Sequence, residues 1–171
     1  MKIFKSYYKN IVGYDLLHKF TFKEIKQVPK LKKIVLTFCL KKYEIKHLLV
    51  SLAALKIISD VKFCSVIKSK SSNISLKIKK GNPIGSKIIL RKVKMNLFLL
   101  KLLSIGFLNK KKFENVNKNT FSFKIKDTLK FSELEQNYQY FKNLPVLNVN
   151  IIFTSTKKDL LLFLLKSYKL K

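Results

Sequence analysis

Acidic residues are scarce in this sequence. Nine Asp and Glu stand against 37 Lys and Arg among 171 residues, so the formal net charge is +28 at pH 7. A compact chain with this charge repels itself unless a polyanion neutralises it, and lysines bind nucleic acid by displacing its condensed counterions. Because 47% of the residues are hydrophobic, a disordered basic tail is excluded. The composition therefore predicts a folded domain with a surface for phosphate groups.

Arginine is nearly absent, since Arg91 is the only one in the chain. Arginine reads guanine edges and binds phosphate through two hydrogen bonds, whereas lysine acts as a point charge. The lysine-rich composition therefore predicts recognition of nucleic-acid shape and backbone more than base sequence. The abundance of Lys, Asn, Ile, Leu and Phe is also typical of an AT-rich genome, which indicates an organelle or an AT-rich microbe.

Residue types that form disulfides, metal sites and catalytic centres are few and scattered. Cys39 and Cys64 have no pairing or metal-ligand spacing around them, which favours a reducing compartment. His18 and His47 lie far apart and are interpreted as surface or helix residues. The sequence contains no glycine-rich phosphate loop, nucleophile elbow or metal cluster. It therefore predicts a non-enzyme with no cofactor, no metal and no small-molecule substrate.

Long hydrophobic runs are also missing. The apolar stretches Met95–Leu108 and Leu160–Leu165 are too short or too interrupted to cross a bilayer, so we expect no membrane insertion. The chain opens with neither a signal peptide nor an arginine-rich import presequence. If the protein works in an organelle, we therefore expect it to be encoded there.

Hydrophobic periodicity predicts one domain, residues 1–171, with an α+β fold. We expect two layers, in which helices pack on one face of a mostly antiparallel sheet. Ile74–Lys79 has the clearest alternation of apolar residues and lysines, which predicts a strand between the loop Ser69–Asn73 and a turn at Gly81–Gly85. The predicted helices are Ile3–Phe20, Glu44–Ile58, Met95–Leu108 and Lys157–Tyr168, and the other predicted strands are Ile34–Phe38, Phe63–Ile67, Ser86–Arg91, Phe121–Lys126 and Leu147–Phe153.

The sheet face opposite the helices is predicted to be a basic surface that meets RNA. Lysines alternate onto one side of several predicted strands, which is the pattern of a phosphate-binding face. Tyr138, Tyr140 and Phe141 could stack on bases, although core packing or anchoring of a loop is the favoured interpretation. The lysines of the predicted face are Lys77, Lys79, Lys87, Lys124 and Lys126.

Several segments, in order along the chain, resemble one known family. Gln27–Lys30 followed by Lys33–Leu36 resembles the first strand of the bacterial-type large-subunit ribosomal protein number five. Gly81–Lys87 is similar to that family's Gly-x-Pro-Ile-Gly-Cys-Lys hairpin, which leads into a helix. Further matches in the expected places are Tyr7–Lys9, Leu90-Arg91 with Met95, Leu129–Leu134 and Val149–Thr156. The resemblance spans almost the whole chain.

The resemblance implies a structural protein of the central protuberance of the large ribosomal subunit. Its partners would be large-subunit rRNA, 5S rRNA, neighbouring ribosomal proteins and a small-subunit protein across an intersubunit bridge. The loop Lys68–Lys80 would reach toward the elbow of the tRNA in the peptidyl site. The residues expected to approach this tRNA are Lys68, Lys70, Ser71, Ser72, Asn73, Ile74 and Ser75.

The residues expected to bind rRNA combine family positions with the predicted basic face. The chain departs from the family where Thr37–Lys41 replaces Asn-Met-Gly-Val-Gly and loses both glycines. Lys62 falls near a family glutamine and Ile89 replaces a threonine, whereas Arg91 is kept. The full set is Lys30, Thr37, Lys62, Lys77, Lys79, Lys87, Arg91, Lys124 and Lys126.

The leading hypothesis is an organelle-encoded constituent of the mitochondrial large ribosomal subunit. A plastid or an AT-rich bacterium stays open as the source. The alternative is a non-ribosomal RNA-processing or maturase accessory factor, for which the positive charge would serve equally well. A basic peripheral membrane protein ranks last, because the lysines are spread over strands and loops instead of following one helix face.

Overall fold

The computed structural model of the chain describes residues 6–24, 27–40, 44–106, 117, 119–154 and 157–168. Its first helix, α1 (Tyr8–Val12), has π-helical hydrogen bonding and continues directly into α2 (Gly13–Lys19). The other helices are α3 (Ile45–Ser59), α4 (Lys92–Ser104), α5 (Ser132–Glu135), α6 (Tyr138–Phe141) and α7 (Lys158–Ser167). The strands are β1 (Leu31–Cys39), β2 (Ser65–Lys68), β3 (Pro83–Leu90), β4 (Thr120–Ile125) and β5 (Leu147–Phe153).

The five strands form one sheet in the order β2-β3-β1-β5-β4. Strands β2 and β3 pair in antiparallel fashion, with Ser65 opposite Lys87 and an irregularity between Ile67 and Lys68. This sheet and the helices packed on it confirm the predicted α+β class. Within this fold the chain divides into two compact units, and each is described by itself below. A single domain over residues 1–171 stays a prediction.

The first unit comprises Met1–Ile34, Arg91–Phe123 and Asn150–Lys171. Its core includes side chains from α2, α4 and α7, among which Leu16, Leu102 and Leu161 are fully buried. The hydroxyl of Tyr8 donates to the carbonyl of Pro29 at 2.7 Å, and its ring stacks on Tyr168 with centroids 6.4 Å apart. Burial raises the pKa of Tyr8 to about 12. These contacts attach the N-terminal helices to the last helix of the chain.

The second unit comprises Val35–Leu90 and Lys124–Val149. Helix α3 packs on β3, and the buried hydroxyls of Ser51 and Ser86 lie 3.0 Å apart between them. Gly85 lies so close to β1 that a Cβ at this position would collide with the carbonyl oxygen of Phe38. Only glycine fits there, which gives a physical reason for the second glycine of the Gly81–Lys87 segment.

Most predicted elements have the observed type, and their bounds differ by a few residues. Strand β5 has the predicted bounds, and helix α3 begins and ends one residue later than expected. Strand β3 begins at Pro83, so the predicted turn Gly81–Gly85 is wrong beyond Asn82. A proline is tolerated as the first residue of a strand because its missing N–H then interrupts no ladder. The predicted helix residues Ile3–Lys5 and the residues 107–108 lie outside the described part of the chain.

The predicted strand Ile74–Lys79 is wrong. Residues 74–77 form a turn, and the only ladder contact of this segment is an isolated antiparallel bridge between Asn73 and Ile78. The amide oxygen of Asn73 accepts hydrogen bonds from the Ser75 hydroxyl (2.6 Å) and the Leu76 N–H (3.4 Å). Asparagine side chains commonly stabilise turns in this way. The alternation in the sequence therefore reflects a hairpin tip, where Ile74 is 94% exposed, and not a half-buried strand.

Candidate nucleic-acid interface

Strand β3 divides its side chains between two faces. The contact between Ser86 and Ser51 shows that the buried residues Ser86, Ile88 and Leu90 face α3. Because successive side chains of a strand point to opposite sides, Lys87 points away from α3. Lys87 is half-buried, which is ordinary for a lysine, because its apolar stem can lie on a sheet while the ammonium group reaches solvent.

The neighbouring strands of the same unit repeat this alternation. Lys124 is exposed and Asn148 partly exposed, and each stands between two buried residues of its strand. Thr37 is likewise partly exposed between two buried residues of β1. The amide of Asn148 donates to the Sγ of Cys39 at 3.9 Å, which brings these two strands together on the same side. We call Thr37, Cys39, Lys87, Lys124 and Asn148 the polar sheet face.

The polar sheet face carries the groups that proteins use to bind an RNA backbone. Lysine ammonium groups contact phosphates, and hydroxyl and amide groups hydrogen-bond to phosphate and sugar oxygens. Three of its five residues, Thr37, Lys87 and Lys124, belong to the set expected from sequence. Cys39 and Asn148 were missed, although Asn148 occupies a polar position in the clean alternation Leu147–Phe153 that predicted β5. That alternation was the signal that could have found it.

An open groove of about 690 Å³ adjoins the polar sheet face. Two of the residues that line this groove interact with each other: the Nε2 of His47 lies 2.9 Å from the Oε2 of Glu44, three residues earlier in the chain. This acidic neighbour was overlooked in the sequence interpretation of His47. The described residues contain no group of three or more His, Cys, Asp or Glu side chains that could hold a metal ion. The groove is lined by Cys39, Leu40, Glu44, His47, Lys124, Asn143, Leu144, Pro145, Val146 and Asn148.

The β2–β3 hairpin holds the residues that were expected to approach tRNA. Ser69 closes its base: its N–H donates to the carbonyl of Asn82 (2.9 Å), and its carbonyl accepts from the N–H of Gly81 (3.0 Å). Beyond this closure, every residue from 70 to 77 is exposed. The hairpin tip, residues 70–80, therefore offers lysines, small polar groups and the side chain of Ile74 to solvent. Lys77 and Lys79 lie in this tip and not on the sheet, so the prediction that they share a strand face with Lys124 is wrong.

The other residues expected to bind RNA lie outside the polar sheet face. Lys62 is exposed between α3 and β2, and Lys126 is exposed just after β4. In the first unit, Lys30 is exposed before β1, and its N–H donates to the Oγ1 of Thr154 at 2.8 Å. Arg91 is exposed at the N-cap position of α4. The structure thus places Thr37, Lys87 and Lys124 on strands of one sheet, and it leaves the others on loops and element ends.

Among the described residues, no helix is both long enough and apolar enough to cross a membrane. The hydrophobic stretches of α4 and α7 supply core side chains instead, with Phe98, Leu102, Leu161 and Leu164 all buried.

Comparison with known proteins gives consistent matches over nearly the full chain. A protein named large ribosomal subunit protein uL5, from Borrelia garinii subsp. bavariensis, is 34% identical over 160 residues, which is 89% of this chain and 86% of that protein. The protein uL5m of Reclinomonas americana is 33% identical over 168 residues, covering 93% and 92% of the two chains. The uL5 protein of Clostridium tetani is 35% identical over 162 residues, covering 90% and 87%. No protein-family profile matches the chain.

Proposed function

The chain belongs to the uL5 family of large ribosomal subunit proteins, and from this premise we propose that it is a mitochondrial member that binds rRNA in the central protuberance. As a member of this family it is a structural constituent of the large subunit and not an enzyme. The expected resemblance to the large-subunit protein number five is therefore confirmed.

The polar sheet face is the observation that supports rRNA binding by this chain. Lys87 lies on the side of β3 that points away from α3, and Lys124 lines one groove with Cys39 and Asn148. A net charge of +28 supplies long-range attraction to a polyanion and requires one for compactness. We propose that this face lies along an RNA backbone, with 5S rRNA and adjoining large-subunit rRNA as the partners that the family implies.

The hairpin tip supports a second contact, with the elbow of the tRNA in the peptidyl site. A contact that serves every elongator tRNA has to rely on shape and charge, and the tip offers Lys70, Ser71, Ser72 and Asn73 without a base-reading arginine. Its base is closed by Ser69, so the tip projects beyond the β2–β3 ladder. A small-subunit protein across the intersubunit bridge is the further neighbour that the family implies.

The assignment to a mitochondrion rests on two observations. One relative, uL5m of Reclinomonas americana, aligns with 93% of this chain. The composition, with one arginine among 37 basic residues, is that of an AT-rich coding sequence. Cellular fractionation tests the assignment: we expect the chain to sediment with large ribosomal subunits from purified mitochondria, and its enrichment in plastid or cytosolic ribosomes would contradict it.

The salt dependence of RNA binding tests the role of the polar sheet face. We expect the double variant Lys87→Gln, Lys124→Gln to bind related and unrelated RNA duplexes more weakly. The slope of log affinity against log salt should fall in magnitude by about 0.9 for each phosphate that the variant no longer neutralises. Filter binding across a salt series measures both quantities.

A matched control carries the same charge change on helices instead of strands: Lys9→Gln and Lys166→Gln, in α1 and α7. This control should retain more of the slope than the sheet variant. An equal loss in both variants would mean that the sheet face has no special role. A loss confined to one RNA sequence, with an unchanged slope, would mean base readout and would defeat the proposal.

A further inference from the structure

Helix α3 is apolar on two opposite sides. One side packs into the second unit through Leu48, Leu55 and Ile58, which are all buried. The other side carries apolar residues that the described part of the chain leaves exposed. Leu49, for example, is 60% exposed. The apolar stripe of a helix normally packs against another element, so the second apolar side of this helix is incompletely covered in the isolated chain.

The exposed apolar residues follow each other at intervals of four. Ile45, Leu49, Ala53 and Ile57 are all exposed, and we call them the α3 stripe. Residues spaced by four form a ridge along a helix surface, and such ridges pack into the grooves of another helix. At 1.5 Å per residue the stripe is about 18 Å long. Ala53 at its middle leaves room for a second helix to approach closely.

Apolar surface continues beside the stripe at the end of the helix. Phe63 is 85% exposed, and the next residue, Cys64, places its Sγ 4.0 Å from the carbonyl oxygen of Leu52 on α3. Burial raises the pKa of the Cys64 thiol, and the nearby charge of Lys56 on α3 offsets part of that rise. This segment therefore lies close to the lysine of α3. Aromatic residues beside an apolar ridge are common anchors of protein interfaces.

Two of the possible occupants are disfavoured, RNA by its polar exterior and a second copy of this chain by its charge. RNA presents phosphates and sugars on its outside, which leave Ile and Leu side chains without an apolar partner. A second copy of this chain would bring another +28 charge to the interface, which opposes self-association. The exposed lysines of α3, Lys46 and Lys56, stand about 15 Å apart along the helix and are complementary to carboxylates.

We propose that the α3 stripe is the docking site for a helix of a different protein, apolar on one side and flanked by acidic residues that meet Lys46 and Lys56. The apolar ridge of the partner packs between Leu49 and Ile57, and its carboxylates lie at the rim. The proposal rests on the proposed function only in taking the large ribosomal subunit as the place where the partner is found.

Side-chain labelling with a carbene reagent tests whether the stripe is covered, and by what. The samples are the free chain at high salt, the chain bound to protein-free large-subunit rRNA, and the native large subunit. We expect Leu49 to be labelled in the first two samples and, in the third, to fall to the level of the fully buried Leu55. Equal labelling of Leu49 in all three samples would overturn the proposal. Protection by protein-free rRNA would identify RNA as the occupant and would also overturn it.

A photo-crosslinking residue at position 49, in tagged chains incorporated into native subunits, identifies the occupant. We expect one crosslinked peptide from another protein, with apolar residues on one helical side and carboxylates beside them. The matched control carries the crosslinker in place of Leu17 on α2, which is 55% exposed, and should not crosslink to that peptide. A crosslink to rRNA, to a second copy of this chain or to lipid would overturn the proposal.

The charge-altering variant Leu49→Glu completes the test. Because Leu49 is exposed, this variant should fold with an unchanged circular dichroism spectrum. Purified particles that contain it should lack the partner protein that the crosslink at position 49 identified. The variant Leu17→Glu should retain it. Retention of the partner by Leu49→Glu would contradict the proposal. A wild-type chain that does not sediment with large subunits would defeat the proposed function instead, and the stripe would then be tested in the native complex that contains the chain.

Discussion

Two buried hydroxyl groups join helix α3 to strand β3, and they are not equivalent. The Ser51 hydroxyl donates its single hydrogen to the carbonyl of Leu48 at 2.8 Å, so the 3.0 Å contact with Ser86 uses the hydrogen of Ser86. The change Ser86→Ala leaves no donor unpaired and should cost about 1 kcal/mol in free energy of unfolding. The change Ser51→Ala strands a buried Ser86 donor and should cost about 1–3 kcal/mol.

Urea unfolding at high salt measures both variants, and the double variant serves as the control. Replacing both hydroxyls removes the stranded donor, so the double variant should cost less than the sum of the single changes. A larger cost for Ser86→Ala than for Ser51→Ala would show that the hydrogen bonds run in the other direction.

The hydroxyl of Tyr8 links folding to pH in the alkaline range. Burial raises its pKa from 10.0 to about 12, so the folded chain holds this proton where the unfolded chain has lost it. The stabilisation is complete below pH 10 and is lost as the pH rises from about 10 to about 12. The wild-type chain should therefore lose stability relative to Tyr8→Phe across this window. A difference between the two proteins that does not change with pH would contradict this, since phenylalanine has no proton to lose.

Among the elements, long and regular patterns were predictable from the sequence and short ones were not. The alternation over Leu147–Phe153 predicted β5 because seven residues share one rule and their buried side packs against a core. The six residues Ile74–Lys79 obey the same rule but form a turn, because alternation does not report which backbone groups have ladder partners. The Asn73 side chain takes the Leu76 N–H, and Lys77 adopts a φ of 54°, which no strand residue has.

In the candidate site too, the residues on regular strands were predictable from the sequence and those elsewhere were not. Lys87 and Lys124 were placed on a basic face because each stands in a real strand between buried neighbours. Lys77 and Lys79 were misplaced together with the strand that was expected to carry them. Asn148 carries no charge and so escaped an argument built on lysines, although its strand was correctly predicted. The uncharged polar groups of this face, such as Asn148, follow from the pairing of strands, which a single sequence does not state.

The hairpin tip can be shortened without loss of its base. Deleting Ser71–Ser75 removes the Asn73–Ile78 bridge but keeps Ser69, whose hydrogen bonds to Asn82 and Gly81 close the hairpin. We expect the deletion to leave subunit assembly largely intact and to lower the retention of peptidyl-site tRNA on purified ribosomes. The substitution Ile74→Ser is the milder companion, since it removes only the most exposed apolar side chain of the tip. Failure of subunit assembly in the deletion variant would contradict a role restricted to tRNA.

The molecule as a whole combines a net charge of +28 with apolar surface that its own described residues leave open. We expect the isolated chain to aggregate at low salt without RNA, because much apolar surface, the α3 stripe included, lies uncovered beside a dense lysine charge. Light scattering across a salt series measures this, and a monomeric chain that melts cooperatively at low ionic strength without nucleic acid would contradict it.

The charge, the open apolar surface and the family membership all indicate that several surfaces of this protein are covered by partners in the large subunit. The polar sheet face is proposed to meet rRNA, the hairpin tip to meet tRNA and the α3 stripe to meet a protein helix. These surfaces differ in chemistry: the first joins lysines to hydroxyl and amide groups, the second is lysine-rich and exposed, and the third is apolar with two lysines. Each chemistry suits the partner that is proposed for it.

A cryo-EM map of native large subunits from mitochondria, with tRNA in the peptidyl site, tests the assignment of rRNA to the polar sheet face. We expect the chain in the central protuberance, with the ammonium groups of Lys87 and Lys124 in contact with rRNA phosphates. A map in which the chain is present but this face is open to solvent or covered by protein would contradict the account.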